Sequence, residues 1–363
     1  MGTLTELSKD IQSHLKDPKS TKGTERVIER GLEGLPVLKE FLGQDLPIHE
    51  TERLEELLKA LLRSVMSRPI GGPDSRKIAQ FQKDLGFILK YKSYAVKAAT
   101  PVGYSIFLQK EREGFSFQRH VEHKLEVFHI LSVQPGGYIF LCDFADWKRT
   151  YERDAFERWL NGEPNADYER YRFVPEPGDV FIISELGVVH TVIGCVLEEY
   201  ATVSTDMVDR LHDQNVGKKI PANFSRAYAE PALWAIEPPA SNRLVTGLGE
   251  KKFEHIQPTR VQGGERVVLC DSFVTAARYV IEPGKETALA HDKTRSVLLR
   301  LNSGQGTVSI ADSTEGTGTL PELSFERGDL FLIPPGIRYA VRNESREHVA
   351  YSEHCIAPEV AFI

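Results

Sequence analysis

Pro177-Gly178-Asp179-Val180-Phe181-Ile182-Ile183 recurs in the second half of the chain as Arg327-Gly328-Asp329-Leu330-Phe331-Leu332-Ile333. Each copy is a Gly-Asp turn that feeds a short apolar run of strand type, and an echo of this length marks a repeated structural unit. Upstream of each copy lies a Gly-led stretch that ends in histidine. These are Gly114-Phe115-Ser116-Phe117-Gln118-Arg119-His120 and Gly284-Lys285-Glu286-Thr287-Ala288-Leu289-Ala290-His291. The two halves therefore read as duplicated barrels.

Working outward, the residues around the first copy form short runs punctuated by Gly and Pro: Tyr104 to Gln109, Phe115 to Gln118, Val127 to Val133 and Tyr138 to Cys142. Evenly spaced short strands of this kind predict an antiparallel sandwich or barrel. Before about Ser93 the texture is helical, with a stripe at Leu54, Leu57, Leu58, Leu61, Leu62 and Val65 and a breaker at Pro69-Ile70-Gly71-Gly72-Pro73. A Pro-rich stretch from Glu230 to Pro239 separates the two halves. The expected organisation is a helical region over 1–92, a first barrel over 93–225 and a second over 226–363. A charged, aromatic insertion over 143–172 reads as a short helix and a loop, either a surface decoration or a lid over the neighbouring site.

With 363 residues and a formal net charge of −7, the chain lacks the excess of Lys and Arg that nucleic-acid binding requires. No apolar run approaches the length of a bilayer span, and the N-terminus has no basic region followed by an apolar core. Four widely spaced cysteines, Cys142, Cys195, Cys270 and Cys355, form no Cys-x-x-Cys motif and fit a reducing compartment. The expectation is a cytoplasmic protein with a small-molecule substrate, no nucleic-acid or membrane partner, and barrel strands that allow a homodimer.

The chemistry concentrates in the first half. Gln118 and His120 alternate onto one strand face, Glu126 follows, and His190 comes after the first Gly-Asp turn. An amide oxygen, two imidazoles and a carboxylate can surround one divalent ion and still leave room for a substrate oxygen. In the second half His291 has no matching Glu: Arg295-Ser296-Val297 occupies that region, and Pro334 to Tyr339 contains no His. The expectation is one metal in the first barrel and none in the second, whose role is to pack against the first.

These motifs resemble the cupin superfamily, over roughly residues 93–363 as two repeats. The implied fold is mainly β, with two cupin (double-stranded β-helix) barrels and the helical N-terminal region outside them. Gln118-Arg119-His120 with Glu126, and the segment Ser204-Thr205-Asp206-Met207-Val208-Asp209-Arg210-Leu211-His212-Asp213, are similar to sugar-handling cupins such as phosphomannose isomerases. By that resemblance Gln118, His120, Glu126 and His190 hold one divalent metal, with zinc, Fe(II), manganese and nickel all open. One residue more separates His120 from Glu126 than in the family pattern. In a continuous strand that shift reverses parity, so it requires a bulge or a different ligand set, with Glu122 or His123 as the substitute.

The implied activity is a metal-dependent sugar or sugar-phosphate isomerase or epimerase. Lys124, Glu122 and Glu199 are the acid/base candidates, and Arg210 and Asp209 the polar groups facing the substrate. His129, in an apolar strand, reads as core. Two other functions remain open: an Fe(II)-dependent oxygenase acting on a small organic acid through two His and one carboxylate, and a non-catalytic small-molecule-binding bicupin.

Overall fold

The computed structural model describes residues 104–109, 111–112, 114–122, 124–202, 208–213, 242–245, 253–288, 290, 292, 295–311, 322–327, 330–333 and 338–356. The expected N-terminal helices, His123 and His291 lie outside the described residues.

The described chain is mainly β, in two strand-rich units. The first contains β1 (Tyr104–Leu108), β2 (Phe117–His120), β3 (Glu126–Cys142), β4 (Arg172–Phe173), β5 (Val180–Ile183), β6 (Val189–Ala201), β7 (Val208–His212), β8 (Asn242–Val245) and β9 (Phe253–Ile256). They pair in the order β7-β2-β6-β3-β5-β8-β9, with β1 added to β6 and β4 to β3. The second unit has a six-stranded sheet made of β10 (Thr259–Val261), β11 (Gly264–Asp271), β12 (Thr275–Ile281), β13 (Ser296–Ser303), β16 (Leu330–Ile333) and β18 (Val349–Ile356). A three-stranded sheet contains β14 (Gln305–Ala311), β15 (Glu322–Glu326) and β17 (Arg338–Asn343).

Two long antiparallel strands, β3 and β6, organise the first unit. Their pairing slips near Ser132 and again between Val133 and Tyr138, and each slip exchanges the inward and outward faces. Glu126, Phe128 and Ile130 therefore share an interior with Ile139 and Leu141, while on β6 Val192 shares it with Cys195 and Leu197. The fold-over needs close backbone approach. Gly194 has φ 64°, and a Cβ on Gly137 would lie 2.7 Å from the Gly194 carbonyl oxygen, so only glycine fits there. Once folded over, the two halves of each long strand face one another across an apolar interior.

β8 and β9, which follow the Pro-rich stretch, hydrogen-bond to the first sheet through the parallel β5–β8 pair. The change of sheet thus falls between Ile256 and Thr259, beyond the expected boundary at 225/226. Asp179 of the first Gly-Asp turn anchors this crossover: buried, it accepts two 2.7 Å hydrogen bonds from Arg243 on β8 and one from the Glu176 amide.

The insertion forms three short helices, α1 (Phe144–Thr150), α2 (Arg153–Leu160) and α3 (Ala166–Glu169), capped by Asp143, Glu152 and Asn165 through side-chain acceptors. Trp147, Phe156, Trp159 and Tyr168 pack with Phe117, Tyr138, Phe140, Val189 and Ile193 in one cluster. Those strand residues face away from the interior that holds Phe128 and Leu141. The helices therefore cover the outer face of the sheet, and the lid reading does not hold. Among the described residues no helix is long and apolar enough to cross a membrane.

Candidate metal centre

β6 lies between β2 and β3, and this order assembles the site. His120 ends β2, Glu126 opens β3 and His190 lies near the start of β6. The five residues between His120 and Glu126 connect two strands that do not pair with each other, so the parity problem raised by the extra residue disappears. Neither a bulge nor a substitute ligand is needed.

One donor atom from each of His120, Glu126 and His190 lies within 4.8 Å of the other two. The imidazole rings stack with centroids 5.2 Å apart. Glu126 Oε1 is 3.1 Å from His120 Nε2, and Glu126 Oε2 is 3.3 Å from His190 Nε2, so the carboxylate faces both rings. The latter two atoms are buried and share no hydrogen bond of good geometry. His190 Nδ1 is 3.0 Å from the Val188 carbonyl oxygen, a contact that fixes Nδ1 as the donor and turns Nε2 inward. Two imidazoles and a carboxylate converging on one point can hold one divalent ion. Gln118 stands directly opposite His190 in the β2–β6 pairing and so on the same face of the sheet.

Burial sets the electrostatics. His120 is 4 % exposed, Glu126 1 %, His190 1 %, Lys124 9 % and Glu199 3 %. Lys124 Nζ lies 2.5 Å from Glu126 Oε1 and 2.9 Å from Glu199 Oε1. Burial opposes the charge on Lys124, but these two carboxylates outweigh it and hold the ammonium above the ordinary lysine range. Burial likewise opposes the charge on Glu126, yet Lys124 and the two imidazoles hold its carboxyl well below the usual range. Glu199 is raised, because burial and the nearby Glu126 outweigh Lys124. Burial lowers His190 to about 4 against the pull of Glu126, so the ring is a neutral donor at physiological pH.

The remaining expected site residues are spread around this cluster. Arg210 pairs with Gln118 in the β2–β7 register and so shares its face, half-exposed, with a 3.9 Å contact to Asp213. Asp209 points the other way and receives a 2.9 Å bond from Arg119, whose guanidinium lies 3.4 Å above the Phe144 ring on the outer face. Glu122 is exposed on the β2–β3 connection. A cleft of ≈ 1040 Å³ lies against the insertion among Arg112, Tyr138, Tyr151, Arg172 and His212, apart from the buried cluster.

Sequence reasoning missed the residues beside Glu199. Glu198 accepts hydrogen bonds from Tyr104 at 2.9 Å, Tyr200 at 3.0 Å and Arg300 of β13 at 2.8 Å, and lies 3.0 Å from His129 Nδ1. His129 is thus a core residue, as its apolar strand implied, but a hydrogen-bonded one. The available signal was the pair Glu198-Glu199 inside the apolar run from Val189 to Ala201: in a strand, consecutive residues face opposite sides, so each needs its own partner.

Strand register shows what the second unit has in these positions. Glu126 pairs with Ile183, and Ile333, the repeat counterpart of Ile183, pairs with Val297. Glu199 pairs with Phe128, which pairs with Phe181; the counterpart Phe331 pairs with Leu299, and Leu299 with Glu353. Val297 therefore stands where the first unit has Glu126, and Glu353 repeats Glu199. The strand after the second motif presents Tyr339, which donates to Glu353 at 2.5 Å, where the first unit presents His190.

No family model matches the chain, and no curated protein does. Among solved structures it is similar to the oxalate decarboxylase of Bacillus subtilis, with a TM-score of 0.41 and 14% identity over 68% of this chain and 66% of that one. It is similar also to the mannose 6-phosphate isomerase of Bacillus subtilis, with a TM-score of 0.44 and 14% identity over 69% of this chain and 74% of that one. A shorter stretch, 23% of this chain, is similar to 42% of an oxalate oxidase in complex with the substrate analogue glycolate, at 18% identity and a TM-score of 0.22. The chain thus spans just under two thirds of the decarboxylase.

Proposed function

We propose that this chain is a metal-dependent enzyme acting on a small polar substrate, and that the reaction is the isomerisation or epimerisation of a sugar or sugar phosphate. The reading rests on one observation: a buried acid/base pair, Lys124 and Glu199, lies directly beside the cluster of His120, Glu126 and His190. Together with Gln118, these three would hold one divalent ion, which when bound polarises substrate oxygens as a Lewis acid. Glu199, with its carboxyl raised by burial, takes a proton from the carbon next to a carbonyl and, in isomerisation, returns it to the carbonyl carbon, while the proton of the adjacent hydroxyl passes to the former carbonyl oxygen. Lys124 donates hydrogen bonds toward the oxygen on which charge develops. Arg210, on the face of Gln118 but at its exposed edge, suits a phosphate or carboxylate of the substrate.

Sugars and sugar phosphates incubated with metal-replete protein in deuterated water, without oxygen, should incorporate deuterium at the carbon next to the carbonyl. A second reading, an Fe(II)-dependent oxygenase of a small organic acid, is favoured by the buried set of two imidazoles and one carboxylate. Oxygen uptake with Fe(II) and such an acid, without proton exchange in any sugar, would select it. The absence of turnover in both assays at saturating metal would leave a binding protein.

A further inference from the structure

Lys124 gives Glu126 the positive partner that a metal ion would otherwise supply. Its Nζ is 2.5 Å from Glu126 Oε1, on the carboxylate that also faces His120 and His190, and 2.9 Å from Glu199 Oε1, all inside the unit. We propose that Lys124 is an internal counter-cation that competes with the metal for Glu126, and that Glu199 holds it so that the competition stays weak. The inference rests on the metal reading of His120, Glu126 and His190.

The charges fix the direction of the effect. Lys124, Glu126 and Glu199 together carry one net negative charge, which a divalent ion turns into one net positive charge. Without Lys124 the same ion meets two carboxylates and the site closes neutral; without Glu199 it meets no net charge and the site closes with two positive charges. Electrostatic interactions are strong at this burial, so affinity should rise on losing the lysine and fall on losing the glutamate. A lysine that merely supported the local structure would weaken metal binding when removed.

Geometry adds a consequence for the substrate. With Oε1 of Glu126 engaged by Lys124, Oε2 would be the oxygen left to a bound ion. Gln118, His120 and His190 would hold the ion with it and leave room for substrate oxygens. If the lysine is replaced by an apolar side chain of similar length, both oxygens of Glu126 would be available to the ion.

The test is titration calorimetry of metal-free protein with Mn(II) and Zn(II) alone, on the wild type, Lys124→Met, Lys124→Arg, Glu199→Gln and the double variant Lys124→Met/Glu199→Gln. Lys124→Met should bind at least about tenfold more tightly and Glu199→Gln at least about tenfold more weakly. Lys124→Arg and the double variant, which restore the wild-type charge, should bind within a few-fold of wild type. Near-ultraviolet circular dichroism reports whether each variant is folded, and if Lys124→Met does not fold, the ordering of the wild type, Lys124→Arg and Glu199→Gln decides. Unchanged or weaker binding by a folded Lys124→Met, or Glu199→Gln binding as tightly as the wild type, would overturn the proposal. Failure of the wild type itself to bind either ion would overturn the metal site, a distinguishable outcome.

Discussion

Glu198 and Glu199 are consecutive residues of β6 that serve opposite faces of it: Glu199 reaches Lys124 inside the first unit, and Glu198 reaches Arg300 of the second. One strand therefore carries both the candidate proton-moving carboxylate and the buried tie between the units. The second unit is thereby joined to the strand that carries Glu199.

Removing Arg300 should be costly. Both Arg300 and Glu198 are almost fully buried, so Arg300→Met leaves a carboxylate without its cation, a change that costs about 3–5 kcal/mol in such settings. The double variant Glu198→Gln/Arg300→Met should cost less than the two single changes added together. Denaturant titration of the four proteins gives the coupling directly.

Acid stability should depend on the same glutamate. Burial alone would raise Glu198, but Arg300 and His129 bring its carboxyl down to about 2. The unfolded chain, with this group near its ordinary value of 4.5, takes up a proton first as the pH falls, so stability present above about pH 4.5 is lost progressively down to about pH 2. Glu198→Gln should flatten this part of the stability profile while lowering stability at neutral pH. An unchanged slope between pH 4.5 and 2 would count against the assignment.

Metal stoichiometry separates the two units. His120→Ala or His190→Ala removes one of three buried donors and should abolish stoichiometric divalent metal in elemental analysis of the purified protein. The second unit, with Val297 in the place of Glu126, should contribute none. One full equivalent of metal retained by the double variant His120→Ala/His190→Ala would refute the site.

Asp179 should matter for stability rather than for chemistry. Its two hydrogen bonds to Arg243 hold β8 against the first unit, and hydrogen bonds to charged groups contribute about 1.5–3 kcal/mol each. Asp179→Asn should lower the thermal midpoint and leave metal affinity unchanged. A loss of metal with unaltered stability would be the opposite result.

The repeated Gly-Asp motif, the short strands and the order Gln118, His120, Glu126, His190 were legible in the sequence, because turn chemistry, strand alternation and ligand type are local properties of the chain. Strand neighbours are not local. Only the tertiary structure put β6 between β2 and β3, which removed the parity objection to Glu126 and brought residues from three strands within 4.8 Å. The face each residue occupies depended on the slip in β3 near Ser132 and the slip in β6 at Gly194, each of which reverses inside and outside for the part of its strand beyond it. For the same reason the sequence named Lys124 and Glu199 singly but could not pair them, and could not tell that Glu198 would turn outward to Arg300. A buried charge is tolerated only through its partner, and the partner is chosen by folding.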